Sequence, residues 1–548
     1  MRRRDFLSSV GAVAGAALLP GCAPTAPLAL PPGQLLGSSL ALGHRLRGGE
    51  FPVPDKTRRV PVVIVGAGIG GLSAGWKLAG AGFSDFLLLE LESEAGGNSR
   101  AGRNAVGEYP LGAHYLPLPT REAVATRELL AELGVLRGDP RAERPEYDER
   151  YLCATPQERL YRNGWWQDGL LPQLGVPAAE KAQYAGFQRL MNAYRQRRDG
   201  GKGGRRAFAL PMEFSSRAPD LLALDRQSMR DWLLAQGFDS PHLHWYVDYA
   251  CRDDYGTGSD AVSAWAGIHY FACRDGLAAN AEGDTVLTTP GGNAWLARGL
   301  LRRIAQAGDR LLTGALVHRV ADTGSAVEID VFLPGEGRSL RLLAGQLIWA
   351  APLFALPHVL AGRDELKAAA RRYSHAPWLL ANLTLSAFPA QRAGVGIAWD
   401  NVLYDSPGLG YVVSTHQAMR LRRGATVLTY YRALSDMPPA QGREMLQNRS
   451  RESWAGEILD ELSRPHPELR SMVTRIDIVR HGHAMARPVT GFVWGGVRDA
   501  FAADHPRLRF AHADVSGFSL FEEAQYRGVL AAERTLRRLG IRFASSLV

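Results

Sequence analysis

Cysteine is scarce: four in 548 residues. With Cys22 set aside near the N-terminus, Cys153, Cys251 and Cys273 remain. Their spacing suits no metal site, and their odd number excludes a closed disulfide framework. Buried free thiols are expected, with one bridge, Cys251 to Cys273, left open; no metal is expected. Lysine is nearly as rare, confined to Lys56, Lys77, Lys181, Lys202 and Lys367. The formal net charge of +9 therefore rests on scattered arginines. The densest basic cluster, Lys202 to Arg206, lies in a glycine-rich loop. No basic face with a nucleic-acid-binding pattern is formed, so nucleic acid is excluded as a partner. Long apolar runs are missing too, and nothing inside the chain approaches the length of a membrane-spanning helix. What is present is an ordinary globular composition, 46% hydrophobic and 22% charged, over a length that accommodates two or more domains.

The first 22 residues read as an address rather than as part of the fold. Arg2 to Arg4 precede Phe6-Leu7 and a mild Gly- and Ala-rich segment from Val10 to Leu19. This resembles a twin-arginine export signal. Leu19-Pro20-Gly21-Cys22 is similar to a lipoprotein cleavage box, from which Pro20 departs. Lipidation of Cys22 and simple cleavage nearby both stay open. The resemblance implies the twin-arginine machinery as a partner, a periplasmic or other extracytoplasmic location, and membrane attachment if Cys22 is lipidated. That route carries folded proteins with their cofactors already loaded. Residues 23–59 are rich in Pro, Gly and Leu, lack periodicity, and read as a linker or surface arm.

The chain is organised around Val60 to Arg100. The continuous apolar run Val62 to Val65 suits a strand buried on both faces. Gly66, Gly68 and Gly71 follow at G-x-G-x-x-G spacing, with Gly70 between them, and then a helical pattern closes at Gly80 and Gly82. A second apolar run, Phe86 to Leu89, ends on Glu90. Together these form a dinucleotide-binding strand–helix–strand unit. Gly66 permits the turn, Gly68 admits a pyrophosphate, Gly71 lets helix and strand pack, and Glu90 accepts hydrogen bonds from ribose hydroxyls. The helix N-terminus offers free N–H groups to the phosphates.

Beyond Glu90 come Gly96-Gly97, Arg100, and YPLGAHYLPLP from Tyr109 to Pro119. This continuation resembles the flavin-containing amine oxidase and phytoene desaturase superfamily. The resemblance implies FAD as cofactor and an α/β fold, a Rossmann-like FAD-binding domain with an inserted α+β substrate domain. The FAD domain would comprise 60–130, 285–375 and 476–548, and the substrate domain 131–284 and 376–475. Gly96, Gly97, Arg100, Gly112, Ala113 and His114 would border the cofactor. Gly291-Gly292 resembles the pair that opens the returning helix, and Val317 takes the place of a backbone contact to adenine. Asp514 takes the position of an acid that accepts from ribityl or pyrophosphate, and Glu523-Ala524 that of a helix start aimed at the flavin. Two departures are evident. Asn382, in WLLANLTLS, occupies the place of a lysine that holds a water near flavin N5. Leu520-Phe521 replaces a tyrosine of an aromatic cage.

Periodicity predicts helices over Arg121–Gly134, Ala178–Arg198 and Ser228–Gln236, the last capped by Ser228. It predicts two short strands around Arg162-Asn163-Gly164. A hairpin of Val327–Phe332 with Leu340–Leu343 is expected, then a separate strand Gln346–Pro352, and a strand Trp378–Ser386. His242 to Gly276 crowds Trp245, Tyr246, Tyr249, Asp253, Asp254, Tyr255, Trp265 and Tyr270 together. Two readings stand: an aromatic wall with a carboxylate that holds a cationic amine, or a core helix pair. His481 and His483, in RHGHAMARPVTG, are candidates for proton transfer or are structural residues of a loop. The activity implied is hydride transfer from a substrate carbon to flavin N5, the cofactor carrying the chemistry. For an amine this gives an imine, which water hydrolyses. A desaturase or isomerase of an apolar polyene or lipid is the alternative, as is a flavin-binding electron carrier or partner subunit.

Overall fold

Val62 to Val65 form the centre of a seven-stranded sheet in the computed structural model, which describes residues 30–201, 203–418 and 424–547. The Arg2–Arg4 segment, Cys22 and Lys202 lie outside the described residues. The apolar run is unbroken because both faces are covered. Val62 and Ile64 pack with the helices, and Val63 and Val65 pack with the other layer. Each such side chain contributes about 2 kcal/mol by leaving water.

The order in this sheet is Leu311–Leu312, Phe86–Leu89, Lys56–Val65, Arg338–Trp349, Val327–Leu333, Leu316–Asp322, with Leu508–Phe510 also paired to Arg338–Trp349. Arg338–Trp349 is one strand of 12 residues, where a hairpin arm and a separate strand were expected. Its first part pairs antiparallel with Val327–Leu333, and its end pairs in parallel with Leu508–Phe510, while Lys56–Val65 runs beside nearly its whole length. The sequence breaks at Ala344-Gly345 do not interrupt the ladder. Helices Ile69–Gly80, Ala294–Gln306 and Phe521–Arg538 cover one face.

The second sheet has eight strands in the order Leu35–Gly37, Val473–Ala486, His375–Leu385, Thr426–Ala433, Tyr411–Val413, Asp400–Leu403, Glu158–Arg162, Trp165–Asp168. The turn joining the last two uses Asn163 (φ 52°) and Gly164 (φ 80°), the left-handed pair that a two-residue hairpin demands. Against this sheet stands a helical module of Ala178–Gln196, Met229–Ala235, Pro241–Tyr255 and Ala264–Cys273. Ser228 Oγ accepts from Asp231 N at 3.0 Å, as a capping residue should. Cys153, Cys251 and Cys273 are buried free thiols, so no bridge joins Cys251 to Cys273.

Several expected boundaries move. The division at residue 60 cuts the strand Lys56–Val65, and part of the arm is itself structured, since Leu35–Gly37 pairs in parallel with Ile478–Arg480. Residues just after 130 do not begin a separate body, because Val135, Leu136 and Tyr147 share a core with Val62 and Leu72. The division at 476 cuts Val473–Ala486, so His481 and His483 are strand residues rather than loop residues. Sequence reading placed these boundaries at composition changes, whereas backbone pairing places them. Among the described residues no helix is long and apolar enough to cross a membrane.

Candidate functional site

The C-terminal ends of the parallel strands converge on Gly66, as ligand crevices of open α/β sheets do. Gly66 has φ 98°, and a Cβ there would lie 2.8 Å from Ala351 N. A Cβ at Gly71 would lie 1.8 Å from Gly66 O, and one at Gly70 2.0 Å from Ala511 O, so both serve helix packing. Gly68 is different. A Cβ there would meet nothing within 4 Å, and one at Gly97 would meet only Gly68 Cα, at 3.2 Å. An open cradle therefore lies between two glycines, with Gly68 as N-cap of the helix Ile69–Gly80. Unpaired N–H groups and the helix dipole there suit a pyrophosphate.

Glu90 borders the same crevice. Its Oε2 accepts from Ala67 N (2.8 Å) and its Oε1 from Glu92 N (3.0 Å), and burial raises its pKa. Glu90 O accepts from Ala315 N (2.8 Å), which brings the strand of Val317 alongside. Arg100 Nε donates to Gly97 O at 3.2 Å. Asp514, fully buried, joins the C-terminal strand to the crevice. Its Oδ2 accepts from Leu353 N (2.9 Å) and lies 3.1 Å from His375 Nε2. Burial opposes its charge, but His512 and His375 outweigh burial and hold the carboxyl well below the usual range. Asp514 Oδ1 makes no hydrogen bond within the chain; His512 Nδ1, which itself accepts from Asp514 N, lies 3.2 Å from it. A buried acceptor left unmet fits a ligand that brings hydroxyl groups. The cradle, Glu90 and this acceptor together fit FAD.

Glu523 and Ala524 lie in the first turn of the helix Phe521–Arg538. Glu523 Oε1 accepts from Met212 N at 2.5 Å, which ties the start of Phe521–Arg538 to the turn Met212–Phe214, while its Oε2 is buried without a partner. Ala524 is buried in the helix, its carbonyl facing Gly70.

The segment Leu111–Tyr115 runs from this crevice to the second sheet. Tyr431 Oη donates to Gly112 O (3.0 Å), and His481 Nε2 lies 2.8 Å from Leu111 O. Ala113 N donates to Asn98 O at 2.8 Å. Because the partner of His481 Nε2 is a carbonyl, that nitrogen carries the proton, and burial lowers the pKa of the ring. His483 stacks on Phe354 at 4.1 Å and is pushed down to about 3 by burial and by Arg443 and His375. Asn382 is buried, with Oδ1 accepting from Thr429 Oγ1 (2.8 Å) and Nδ2 unpartnered. It pairs across the ladders with Asp477 and Thr429, four residues along from the Trp378–His481 pair. The three candidates thus share one strand neighbourhood without forming one constellation.

Past Gly112 the chain enters an aromatic and acidic cluster. The His114 ring lies 4.4 Å from Tyr431, 5.1 Å from Tyr115 and 5.5 Å from Trp399. Burial pushes His114 down to about 4, so the ring is neutral. Tyr115 Oη lies 3.5 Å from Asp253 Oδ2, and Arg274 Nη2 is 2.7 Å from both oxygens of Asp254. Asp400 and Glu158 stand opposite each other on neighbouring parallel strands. Burial and Asp254 push Asp253 up to about 7; burial and Asp284 push Glu158 up to about 7. Burial, Asp253 and Glu158 raise Asp400 further. Asp253, Asp400 and Glu158 are half-buried. Asp254 has its ion pair in Arg274, whereas Asp253, Asp400 and Glu158 have none among the described residues. Of the two readings of His242–Gly276, the core helix pair is what the structure shows, Pro241–Tyr255 with Ala264–Cys273, and Asp253 on it meets Tyr115. Glu158 and Asp400 carried no local signal, because only a strand pairing across 242 positions brings them together.

A family model described as an NAD(P)-binding Rossmann-like domain matches residues 64–133. The nucleotide-binding unit is thus similar to that family over these residues. Two curated relatives are similar to the chain. Hydroxyneurosporene desaturase of Cereibacter sphaeroides is 28% identical over 285 residues, 48% of this chain and 51% of that protein. Polyamine oxidase 7 of Oryza sativa subsp. japonica is 42% identical over 60 residues, 11% of this chain and 13% of that protein. The chain thus spans about half the length of the first relative and far less of the second. Solved structures extend the likeness of fold. A putrescine oxidase variant superposes with a TM-score of 0.64 at 15% identity, covering 88% of this chain and 100% of its own. Cyclohexylamine oxidase from Brevibacterium oxydans gives 0.62 at 15% identity, covering 88% and 99%. A fatty acid isomerase from P. acnes gives 0.58 at 15% identity, covering 87% and 98%. The fold is accordingly α/β, a Rossmann-like domain joined to a second, substrate-type domain.

Proposed function

We propose that the chain is an FAD-dependent oxidoreductase whose substrate is a cationic amine. The observation that carries this reading is the cluster beyond Gly112, where Asp253, Asp400 and Glu158 lie among Tyr115, Trp399 and Tyr431 with no ion-pair partner among the described residues, Arg274 being engaged by Asp254. Burying such carboxyls against an apolar ligand is costly, while an ammonium group meets both the charge and the ring faces. Bound FAD supplies a two-electron acceptor for a hydride from carbon. Gly68 and Gly97 would cradle its pyrophosphate, Glu90 its adenosine ribose, and Asp514 Oδ1 a hydroxyl of the ribityl chain. Leu111–Tyr115, tied to the sheet by Tyr431 and His481, runs between cofactor crevice and cluster, so it positions the amine-bearing carbon. His114 is held neutral and leaves the cation unopposed. The fold shared with putrescine and cyclohexylamine oxidases supports this choice.

A second reading, desaturation or isomerisation of an apolar polyene or lipid, is favoured by the 285-residue similarity to hydroxyneurosporene desaturase. Anaerobic visible spectroscopy separates the two. Bleaching of the flavin by monoamines or diamines, and not by polyenes, is expected; bleaching by polyenes alone refutes the amine reading. Export by the twin-arginine route with lipidation at Cys22 is part of the same proposal, since a cofactor-loaded enzyme must cross folded. Replacing Arg2–Arg4 by lysine should retain the protein in the cytoplasm, and a mature mass without a lipid increment would exclude the anchor.

A further inference from the structure

The arm ahead of the first nucleotide-domain strand reaches the dinucleotide crevice by a route no motif marks. It first joins the second sheet, where Ile476 N donates to Pro32 O and Ile478 N to Gln34 O, both at 2.9 Å. Gln34 N adds a bond to Asp477 Oδ1 at 2.8 Å. The chain then crosses to the nucleotide domain. There Ser39 N donates to Glu92 Oε1 (2.8 Å) and Ser39 Oγ to Glu92 Oε2 (3.0 Å), so one residue grips both carboxylate oxygens. Further on, the Arg45 guanidinium lies over Phe332 at 4.5 Å, and Asp55 N donates to Ser339 O at 3.1 Å. The arm is thus fastened on both sides of Ser39.

Glu92 matters because of its backbone. Its N–H donates to Glu90 Oε1 at 3.0 Å, while Ala67 N holds Glu90 Oε2. Two carboxylates therefore stand two residues apart at the rim of the crevice, and like charges so placed repel. The grip of Ser39 satisfies Glu92 and keeps its charge engaged away from Glu90. With the grip released, the Glu92 side chain is free to swing, and the backbone that presents its N–H to Glu90 is left with the bond from Gly314 N to Glu92 O (3.2 Å), so the Glu90 carboxylate is held less firmly.

We infer that Ser39 is a positioning residue for the adenosine end of the dinucleotide, acting through Glu92 on Glu90. The inference rests on the reading of the crevice as an FAD site. Ser39→Ala removes the hydroxyl donor alone. Ser39→Pro removes both donors, and the φ of −64° at Ser39 already suits proline. Ser39→Thr keeps both.

The test is titration of apoprotein with FAD, followed by flavin fluorescence, beside the melting temperature of the apoprotein. FAD affinity should weaken about threefold in Ser39→Ala and about tenfold in Ser39→Pro, one to two charge-assisted hydrogen bonds acting at second hand. Ser39→Thr should match wild type, and the apoprotein melting temperatures should stay together. Unchanged FAD affinity in Ser39→Pro overturns the inference. Loss of affinity that appears only with a matching fall in apoprotein melting temperature, in both variants, also overturns it, by assigning Ser39 to the fold. A wild-type apoprotein that takes up no FAD overturns the functional reading, and this inference with it.

Discussion

A cationic substrate held by Asp253 and Glu158 should bind with a pH dependence that a neutral substrate lacks. Both carboxyls are pushed up to about 7, chiefly by burial. With a pKa near 7, about one site in eleven is ionised at pH 6 and about ten in eleven at pH 8. An alkylammonium resembling a lysine side chain stays protonated across that range. If one carboxylate must be charged, the dissociation constant should fall about tenfold from pH 6 to pH 8. If both must be charged, the fall approaches about a hundredfold. The assay is anaerobic flavin reduction, with the dissociation constant taken from saturation of the observed rate, so that proton-dependent chemistry does not enter. Asp253→Asn should weaken binding at pH 8 by about 1–3 kcal/mol, because the ammonium then meets a neutral amide in place of a charge-assisted acceptor. The same substitution should flatten the pH profile. A dissociation constant that does not change between pH 6 and 8, with Asp253→Asn indistinguishable from wild type, would refute the reasoning and move the substrate elsewhere.

The glycines separate function from packing. Gly68→Val should abolish FAD retention and leave the apoprotein melting temperature near wild type, because the Cβ enters open space; Gly70→Val should lower that temperature sharply, because its Cβ falls 2.0 Å from Ala511 O. Glu90→Ala should weaken FAD binding about tenfold by removing charge-assisted acceptors of ribose hydroxyls, measurable by equilibrium titration. Apoprotein stability should itself depend on pH. The folded-state pKa values of Asp253 and Glu158, about 7, lie above the ordinary 3.8 and 4.5, so the proton-binding stabilisation is complete below about pH 4 and is lost as pH rises through 7. Thermal melts from pH 5 to pH 8 should show a falling midpoint, and Asp253→Asn should reduce the fall.

The nucleotide crevice was legible because its chemistry is local. Strand, glycine turn, helix and terminal acid follow one another within 30 residues, and each residue's task is fixed by its immediate neighbours. Gly66 as a turn glycine and Gly71 as a packing glycine are thus readable one by one. Glu523 shows the limit of local reading: its position at a helix start is visible in the sequence, but its contact with Met212 N depends on a segment 311 residues away. The histidines show the same limit, since RHGHAM reads as a loop until its pairing with His375–Leu385 makes it a strand. The acidic cluster lies furthest from sequence reasoning. Asp253 was visible within a conspicuous aromatic cluster, whereas Glu158 and Asp400 look like ordinary strand-edge charges. Only long-range pairing turns them inward together, and then their shared burial, rather than any spacing, gives them the raised pKa values from which a cationic substrate is argued. Local motifs mark the nucleotide crevice, whereas tertiary contacts alone assemble the acidic cluster on which the proposed substrate rests.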